Sequence, residues 1–161
     1  MPVEIRFATP EDAPAIHRFV RELAEYEKEP HAVEATVESL RRELERTPPP
    51  FECLIAELDG EPAGFALFFH NYSTWKGRRG LYIEDLYVPA RMRRQGVGRA
   101  LVLAVGQLAR ERDCGRLEWA VLDWNEPAIA FYRSLGAAPL AEWSIWRLSG
   151  RALNEFGELK C

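Results

Sequence analysis

Two glycines and a cluster of arginines stand where a strand pattern gives way to a helical pattern, which is typical of a phosphate-binding turn. The run Arg93-Arg94-Gln95-Gly96-Val97-Gly98 follows the apolar stretch Leu81 to Val88 and opens the helical pattern Val97 to Leu108. Glycine leaves backbone amides open to a ligand, and a helix N-terminus carries about half a positive charge. The arginines that add charge here are Arg91, Arg93, Arg94 and Arg99. We therefore expect the amides of Gln95 to Arg99 to hold a diphosphate.

The spacing of this turn excludes two common nucleotide loops. Leu101 stands where a dinucleotide-binding turn has its third glycine, and no Gly-Lys-Ser or Gly-Lys-Thr follows. The spacing that remains is Arg-x-x-Gly-x-Gly. Taken alone, it is also compatible with an ordinary tight turn between a strand and a helix.

A second segment, Asn125 to Ala137, is chemically consistent with a short capped helix. Asn125 is a good N-cap, Pro127 suits a first turn, and Gly136 suits a left-handed stop. The side chains between them that require either burial or a function are Ile129, Phe131, Tyr132 and Leu135.

The two segments, in this order, resemble the pyrophosphate loop and the Asn-x-x-Ala-x-x-Phe-Tyr-x-x-x-Gly segment of the GNAT acetyltransferases, which bind acetyl-CoA. Further stretches resemble the diamine (spermidine/spermine) branch: Leu81 to Val88, Trp124 to Pro127, and Glu22 to Glu27. The resemblance covers nearly the whole chain. It implies an acetyl-CoA-dependent N-acetyltransferase that transfers directly to a small primary amine, without a metal.

Two adjacent acids, Glu84 and Asp85, are the candidates for a base. A free amine has a pKa near ~10.4 and arrives protonated at neutral pH, so a carboxylate or its water must take a proton. Adjacent strand residues face opposite sides, so at least one of the pair should meet the covered face or a cleft. The residues alone also allow both acids to be satisfied by hydrogen bonds or an arginine. The resemblance implies Glu84 as a water-mediated base, with Asp85 in support.

The resemblance further implies how acetyl-CoA is held and which group is the acid. The pantetheine arm would pair with the backbone of Leu86, Tyr87 and Val88, and Pro89 after them cannot donate a ladder hydrogen bond. Tyr132 would protonate the leaving thiolate, although on the residues alone it is also a core tyrosine. Asn125 would cap its helix or also touch the arm. The expected acetyl-CoA contacts are Leu86, Tyr87, Val88, Arg93, Arg94, Gln95, Gly96, Val97, Gly98, Arg99, Asn125, Pro127 and Ala128.

Acids and aromatic residues are expected to bind the amine. Tyr26, Glu27 and Trp75 match family positions, beside Glu84 and Asp85. The chain departs from the family where a substrate-binding acid falls near Ser144, and Glu142 is the candidate substitute. A lysine-like amine or thialysine is therefore as good a candidate as a polyamine. An aminoglycoside, a peptide N-terminus, or a non-catalytic CoA-binding module remain alternatives.

The elements that position these residues predict an α/β fold. We expect a GNAT-type mixed, partly open sheet of about six to seven strands flanked by helices, as one domain over residues 1–161. The sheet is antiparallel in its first half, with a parallel step across the helix that follows Gly98. Asp59-Gly60 predicts a hairpin turn, and the stretch from Asn71 to Gly80 is expected to be a loop. The alternation of apolar and polar residues after Ala138 predicts two final strands.

Composition and charge limit the classes of binding partner that the chain is expected to have. The 161 residues carry a formal charge of −4, which disfavours a nucleic-acid partner and mildly favours a cationic substrate. Three distant cysteines suggest neither disulfides nor a zinc site. Without a long apolar run we expect a cytoplasmic protein with no membrane partner. The resemblance implies a homodimer, for which Trp143, Ile145 and Trp146 are candidate contacts.

Overall fold

The sheet is built from four antiparallel strands and a fifth strand that lies parallel to the fourth. The computed structural model describes residues 2–158. The strands, paired in chain order, are β1 (Glu4–Phe7), β2 (Glu52–Leu58), β3 (Glu61–Ser73), β4 (Arg78–Tyr87) and β5 (Leu117–Trp119). The predicted mixed sheet and its one parallel step between β4 and β5 are confirmed. The hairpin at Asp59-Gly60 is also confirmed, with φ of 53° and 79° at the two turn residues.

Five helices accompany the described strands: α1 (Ala13–Tyr26), α2 (Val37–Leu44), α3 (Val97–Glu111), α4 (Glu126–Ser134) and α5 (Gly150–Phe156). Capping fixes where α2 begins, because the Thr36 hydroxyl accepts a hydrogen bond from the Ser39 amide at 3.0 Å. Helix α3 provides the crossover between the parallel strands. Its far end is tied to the sheet by Arg112, which donates to both carboxylate oxygens of Glu52 at 2.6 and 2.8 Å.

Apolar side chains cover the two faces of the sheet with different helices. On one face, Leu81 and Ile83 of β4 pack with Leu101 and Val105 of α3. On the other face, residues of α1 pack with β2, β3 and the end of β4 in a cluster of Ile16, Phe19, Cys53, Ile55, Phe65, Leu67 and Tyr87. Phe19 stacks on Phe65 with ring centroids 5.6 Å apart. Residues at the end of β4 are therefore held between two buried layers.

Two predictions about strands are wrong. The loop expected over Asn71 to Gly80 is only the turn 74–77, because Asn71 to Ser73 pair with Arg78 to Gly80 and extend the hairpin. The sheet of about six to seven strands has five in the described residues, because the two strands expected between Ala138 and Leu148 do not form. Alternating apolar residues indicate extended backbone, but a strand forms only where a neighbouring strand is available for hydrogen bonding.

The chain divides into two compact units, Met1–Leu122 and Asp123–Cys161. The first unit contains the whole sheet and helices α1 to α3. The second unit contains α4 and α5.

Candidate active site

The predicted phosphate turn has backbone conformations that open it to a ligand. Arg94 and Gly96 both have positive φ, 64° and 83°, on either side of Gln95. Gly96 is the N-cap of α3 and supplies no side chain to cap the first amides of that helix. A Cβ built on Gly96 meets nothing within 4 Å, so the space in front of these amides is open. A helix of 15 residues therefore presents its N-terminal amides and partial positive charge at this turn.

Strand β4 separates from β5 just before the predicted pantetheine contacts. The parallel register comprises Leu81 with Leu117, Tyr82 with Glu118, and Ile83 with Trp119. Beyond Ile83, β4 continues to Tyr87 with β3 as its strand partner. In the described residues, the backbone of residues 84–87 therefore has no paired strand on its β5 side, which leaves a gap in the pairing between β4 and β5. Open α/β sheets bind ligands at the carboxyl ends of strands where neighbouring strands part.

Gly64 brings β3 unusually close to the end of β4. A Cβ on Gly64 would lie 2.8 Å from the Tyr87 carbonyl oxygen and 3.2 Å from methyl groups of both Val88 and Val97. The sequence analysis missed this residue. A glycine inside an apolar strand often marks such a close approach, so the signal was present. Because Gly64 has no Cβ, β3 can pack this closely against the end of β4 and the start of α3.

A β-bulge places both candidate acids on one face of the sheet. Leu67 pairs with Asp85 and Phe68 pairs with Ile83, so Glu84 is the extra residue on β4. The bulge shifts the alternation, because Ile83 before it and Leu86 after it both pack on the α3 side. Glu84 and Asp85 therefore both lie on the α1 side, whereas regular alternation predicts opposite sides. The bulge itself was not predicted.

The two acids differ in exposure and in acidity. Glu84 is exposed and Asp85 is partly buried. Burial, together with the nearby charges of Glu84 and Glu27, raises the pKa of Asp85 from 3.8 to about 6. A carboxyl group whose pKa lies close to neutrality is a suitable proton acceptor at neutral pH. The structure therefore brings together three acids, one of which, Asp85, has a pKa raised to about 6.

The end of α1 supplies the third acid through a tight helix stop. The Glu29 amide donates to the Ala24 carbonyl at 2.8 Å and the Lys28 amide to the Glu25 carbonyl at 3.1 Å, with Lys28 at a φ of 64°. These bonds form a Schellman motif, which fixes the backbone on both sides of Glu27. Burial raises the pKa of Glu27. Tyr26 and Glu27, both predicted amine contacts, therefore lie in one fixed turn.

The side chain of Arg93, a predicted acetyl-CoA contact, binds residues at the ends of β4 and α1. Its Nε donates to the Val88 carbonyl at 2.9 Å. Its guanidinium carbon lies 5.2 Å from the ring centroid of Tyr26 and 5.9 Å from that of Tyr87. These contacts are the geometry of a cation between two aromatic rings. Arg93 thus joins the phosphate turn to the ends of β4 and α1.

One predicted amine contact lies far from the others in the chain. Trp75 is in the turn between β3 and β4, with 90% of its surface exposed. The cluster at Glu84 lies six residues beyond Arg78 along β4, or roughly 20 Å at about 3.3 Å per residue. The structure therefore does not bring Trp75 to the acids of its own chain.

In the second unit, the predicted capping is observed. The Asn125 side-chain oxygen accepts from the Ala128 amide at 3.4 Å, and Pro127 lies in the first turn of α4. Tyr132 is partly buried, and its ring lies 5.4 Å from that of Phe131. Glu142 lies in an exposed turn. The roles of these residues in binding or catalysis stay predictions.

The described residues lack two kinds of feature. Residues 2–158 contain no group of three or more His, Cys, Asp or Glu side chains arranged to hold a metal ion. In the same part of the chain, every helix is too short or too polar to cross a bilayer.

Comparisons with known proteins agree with this arrangement. The Acetyltransferase (GNAT) family profile matches residues 15–137. A thialysine N-epsilon-acetyltransferase from Bos taurus is 41% identical over 95% of this chain and 96% of its own length. An L-ornithine N5-acetyltransferase from Arabidopsis thaliana is 33% identical over 96% of this chain and 88% of its own length. A solved integron cassette protein from V. cholerae superimposes with a TM-score of 0.81 at 25% identity, covering 99% of both chains.

Proposed function

The chain belongs to the GNAT acetyltransferase family and is an N-acetyltransferase acting on amines, and on that premise we propose that it acetylates the terminal amine of a small lysine-like compound with acetyl-CoA. The observation that carries the proposal is the acid cluster of Glu27, Glu84 and Asp85 beside the gap between β4 and β5. Negative side chains in this position suit an ammonium group. Thialysine and ornithine, named for two relatives, carry such a terminal amine, and polyamines are the second candidate class.

Two backbone features of the first unit support acetyl-CoA binding. The diphosphate is assigned to the amides of residues 95–99, supported by the positive φ at Arg94 and Gly96 and by the uncapped start of α3. The pantetheine arm is assigned to the backbone of Leu86, Tyr87 and Val88, supported by the end of β5 pairing at Ile83. The Val88 carbonyl already accepts from Arg93 and retains a second lone pair for an arm amide.

For catalysis, the carboxylate pair takes the proton of the ammonium group. Glu84 is exposed at the bulge and faces the amine through a water, while Asp85 lies beneath it with its pKa near 6. Because the two charges interact, the proton belongs to the pair rather than to either residue. Acetyl-CoA supplies the acetyl group as a thioester, from which the neutral amine accepts it directly. The C–N bond forms as the C–S bond breaks, and the attacking nitrogen releases its extra proton to water. The thiolate leaves and takes a proton.

Tyr132 is proposed as the donor of that last proton. The proposal is supported by the motif that Asn125 to Ala137 shares with the family, which lies within the matched residues 15–137. We also propose that the two units together make a single acetyltransferase domain, because the same family profile includes residues of both.

A thiol-release assay with acetyl-CoA tests the proposed function. The panel contains thialysine, lysine, ornithine, putrescine and spermidine, with an aminoglycoside as an amine of different shape. We expect the highest kcat/KM with an amino acid that ends in a primary amine. Preference for spermidine would replace the substrate class, and the absence of thiol release with every amine would refute the activity.

A homodimer is proposed as the assembly. The apolar side chains that support it are strongly exposed in the second unit: Trp143 at 70%, Ile145 at 75% and Trp146 at 91% of their surfaces. Exposed apolar patches of this kind commonly mark protein interfaces. Light scattering of the wild-type chain and a Trp146→Ser variant tests it, and a monomeric wild type at micromolar concentration would refute it.

A further inference from the structure

We propose that Arg93 is a positioning residue that couples acetyl-CoA binding to amine binding. The inference rests on the proposed function, since it assumes that the turn at Arg94–Arg99 holds acetyl-CoA and that the end of α1 contacts the amine. It concerns the side chain of Arg93 rather than its backbone. The side chain reaches back to Val88, Tyr26 and Tyr87.

Three contacts from Arg93 join elements that are far apart in sequence. The Nε bond to the Val88 carbonyl at 2.9 Å fixes the side chain where β4 has just ended. The Tyr87 ring, 5.9 Å from the guanidinium carbon, is buried against Phe19 of α1. The Tyr26 ring, at 5.2 Å, is on the last residue of α1. Both rings are within the ~6 Å over which a cation and an aromatic face attract.

The backbone of Arg93 belongs to the turn that would hold the diphosphate. The next residue, Arg94, has a φ of 64°, which is uncommon for a residue with a side chain and must be held by its surroundings. A diphosphate on the amides after Arg94 would hold this conformation. The position of the Arg93 side chain would then be restricted as well.

Restricting Arg93 restricts the amine side of the site. Tyr26 is followed directly by Glu27, and the Schellman bonds at Lys28 and Glu29 make the helix end move as one piece. Ordering Arg93 against Tyr26 therefore orders Glu27, which lies close enough to Asp85 to raise its pKa. Each ligand would then be bound more tightly when the other is present. The first ligand already restricts Arg93 and the end of α1, so the second ligand loses less conformational entropy on binding.

Calorimetry on the full chain measures this coupling. Thialysine is titrated into free enzyme and into enzyme saturated with CoA, and the ratio of the two Kd values is the coupling factor. We expect CoA to tighten thialysine binding in the wild type. In Arg93→Gln the coupling factor should fall by about fivefold, as expected for the loss of a cation–ring contact and a charged hydrogen bond at an exposed site.

Variants of Tyr26 separate positioning from folding. Tyr26→Phe keeps the aromatic face and should keep the coupling factor, whereas Tyr26→Leu should reduce it as Arg93→Gln does. The double variant Arg93→Gln with Tyr26→Leu should lose no more than either single variant, since both remove one contact. Arg110→Gln, an exposed arginine on the last turn of α3, is the charge-matched control and should retain wild-type coupling.

Two results have distinct consequences. A wild-type coupling factor in both Arg93→Gln and Tyr26→Leu would overturn this inference and leave the proposed function intact. Wild-type enzyme that binds no CoA would overturn the proposed function, and this inference with it. Thermal unfolding of each variant identifies a folding defect, and Tyr26→Phe against Tyr26→Leu decides the question if Arg93→Gln is unstable.

Discussion

Replacing Asp85 with asparagine should make the protein more stable at neutral pH while removing activity. The side chain is nearly isosteric, so the packing around β4 is retained. What changes is a negative charge that is partly buried and lies close to Glu84 and Glu27. An acid placed for proton transfer at the expense of stability gives this combination.

The magnitude follows from the pKa of Asp85, which the folded chain raises from 3.8 to about 6. Protonated Asp85 contributes to the free energy of unfolding. This contribution is fully present below pH 3.8 and is lost as the pH rises through about 6. Asparagine does not titrate, so the Asp85→Asn variant has no such contribution to lose over this pH range. With about 1.4 kcal/mol for each pKa unit, the stability of Asp85→Asn relative to wild type should rise by about 2 kcal/mol between about pH 4 and about pH 8.

Urea denaturation followed by circular dichroism at several pH values measures the difference. Asp12→Asn is the matched control, because the Arg6 hydrogen bond lowers the pKa of Asp12. Its contribution is present above the unfolded pKa of 3.8 and is lost only as the pH falls through the folded value. Asp12→Asn should therefore be less stable than wild type by a nearly constant amount over the same range.

One pattern of pH dependence would contradict a raised pKa for Asp85. If the stabilities of Asp85→Asn and wild type change in parallel from about pH 4 to about pH 8, the acid carries no raised pKa. The kcat of the same sample is measured with thialysine. A stabilised variant with wild-type kcat would remove Asp85 from the proton-accepting pair.

Three further predictions test the site. Gly96→Val should weaken acetyl-CoA binding more than tenfold by calorimetry, since each charged hydrogen bond lost costs about 1.5 to 3 kcal/mol; Gly60→Val, at a similar φ of 79° in open space, should leave affinity unchanged. Glu84→Gln should lower kcat at neutral pH, with a deficit that shrinks toward the amine pKa near ~10; an equal deficit at every pH would assign Glu84 to binding. Tyr132→Phe should lower kcat by roughly 10²-fold without changing acetyl-CoA affinity, and normal kcat would remove Tyr132 from the mechanism.

Features encoded over a few neighbouring residues could be predicted from the sequence. Asp59-Gly60 turns the hairpin, and Asn125 with Pro127 starts α4, both as expected. In every case the required chemistry is local: a side chain that accepts from an amide, a residue that tolerates positive φ, or a ring that suits the first turn.

Features that depend on a partner could not be predicted in this way. The bulge at Glu84 exists only relative to Leu67 and Phe68 of β3, so no pattern within β4 reports it. The pKa of Asp85 is raised first by burial under distant elements and then by the charges of Glu84 and of Glu27, which is 58 positions earlier in the sequence. The strands expected after Ala138 failed for the same reason, because alternation cannot show whether a strand edge is within reach.

The bulge on β4 accounts for both halves of the proposed site. Pairing with β5 ends at Ile83, and the next residue, Glu84, is the extra one, so the bulge lies where the proposed path of the pantetheine arm begins. The same extra residue turns Glu84 and Asp85 to one face, where burial and the charge of Glu84 raise the pKa of Asp85. In a regular strand, one of these acids would face the apolar layer under α3 and would need a partner there. A single inserted residue therefore lies at the start of the proposed path for one substrate and places both proposed proton acceptors for the other on one face of the sheet.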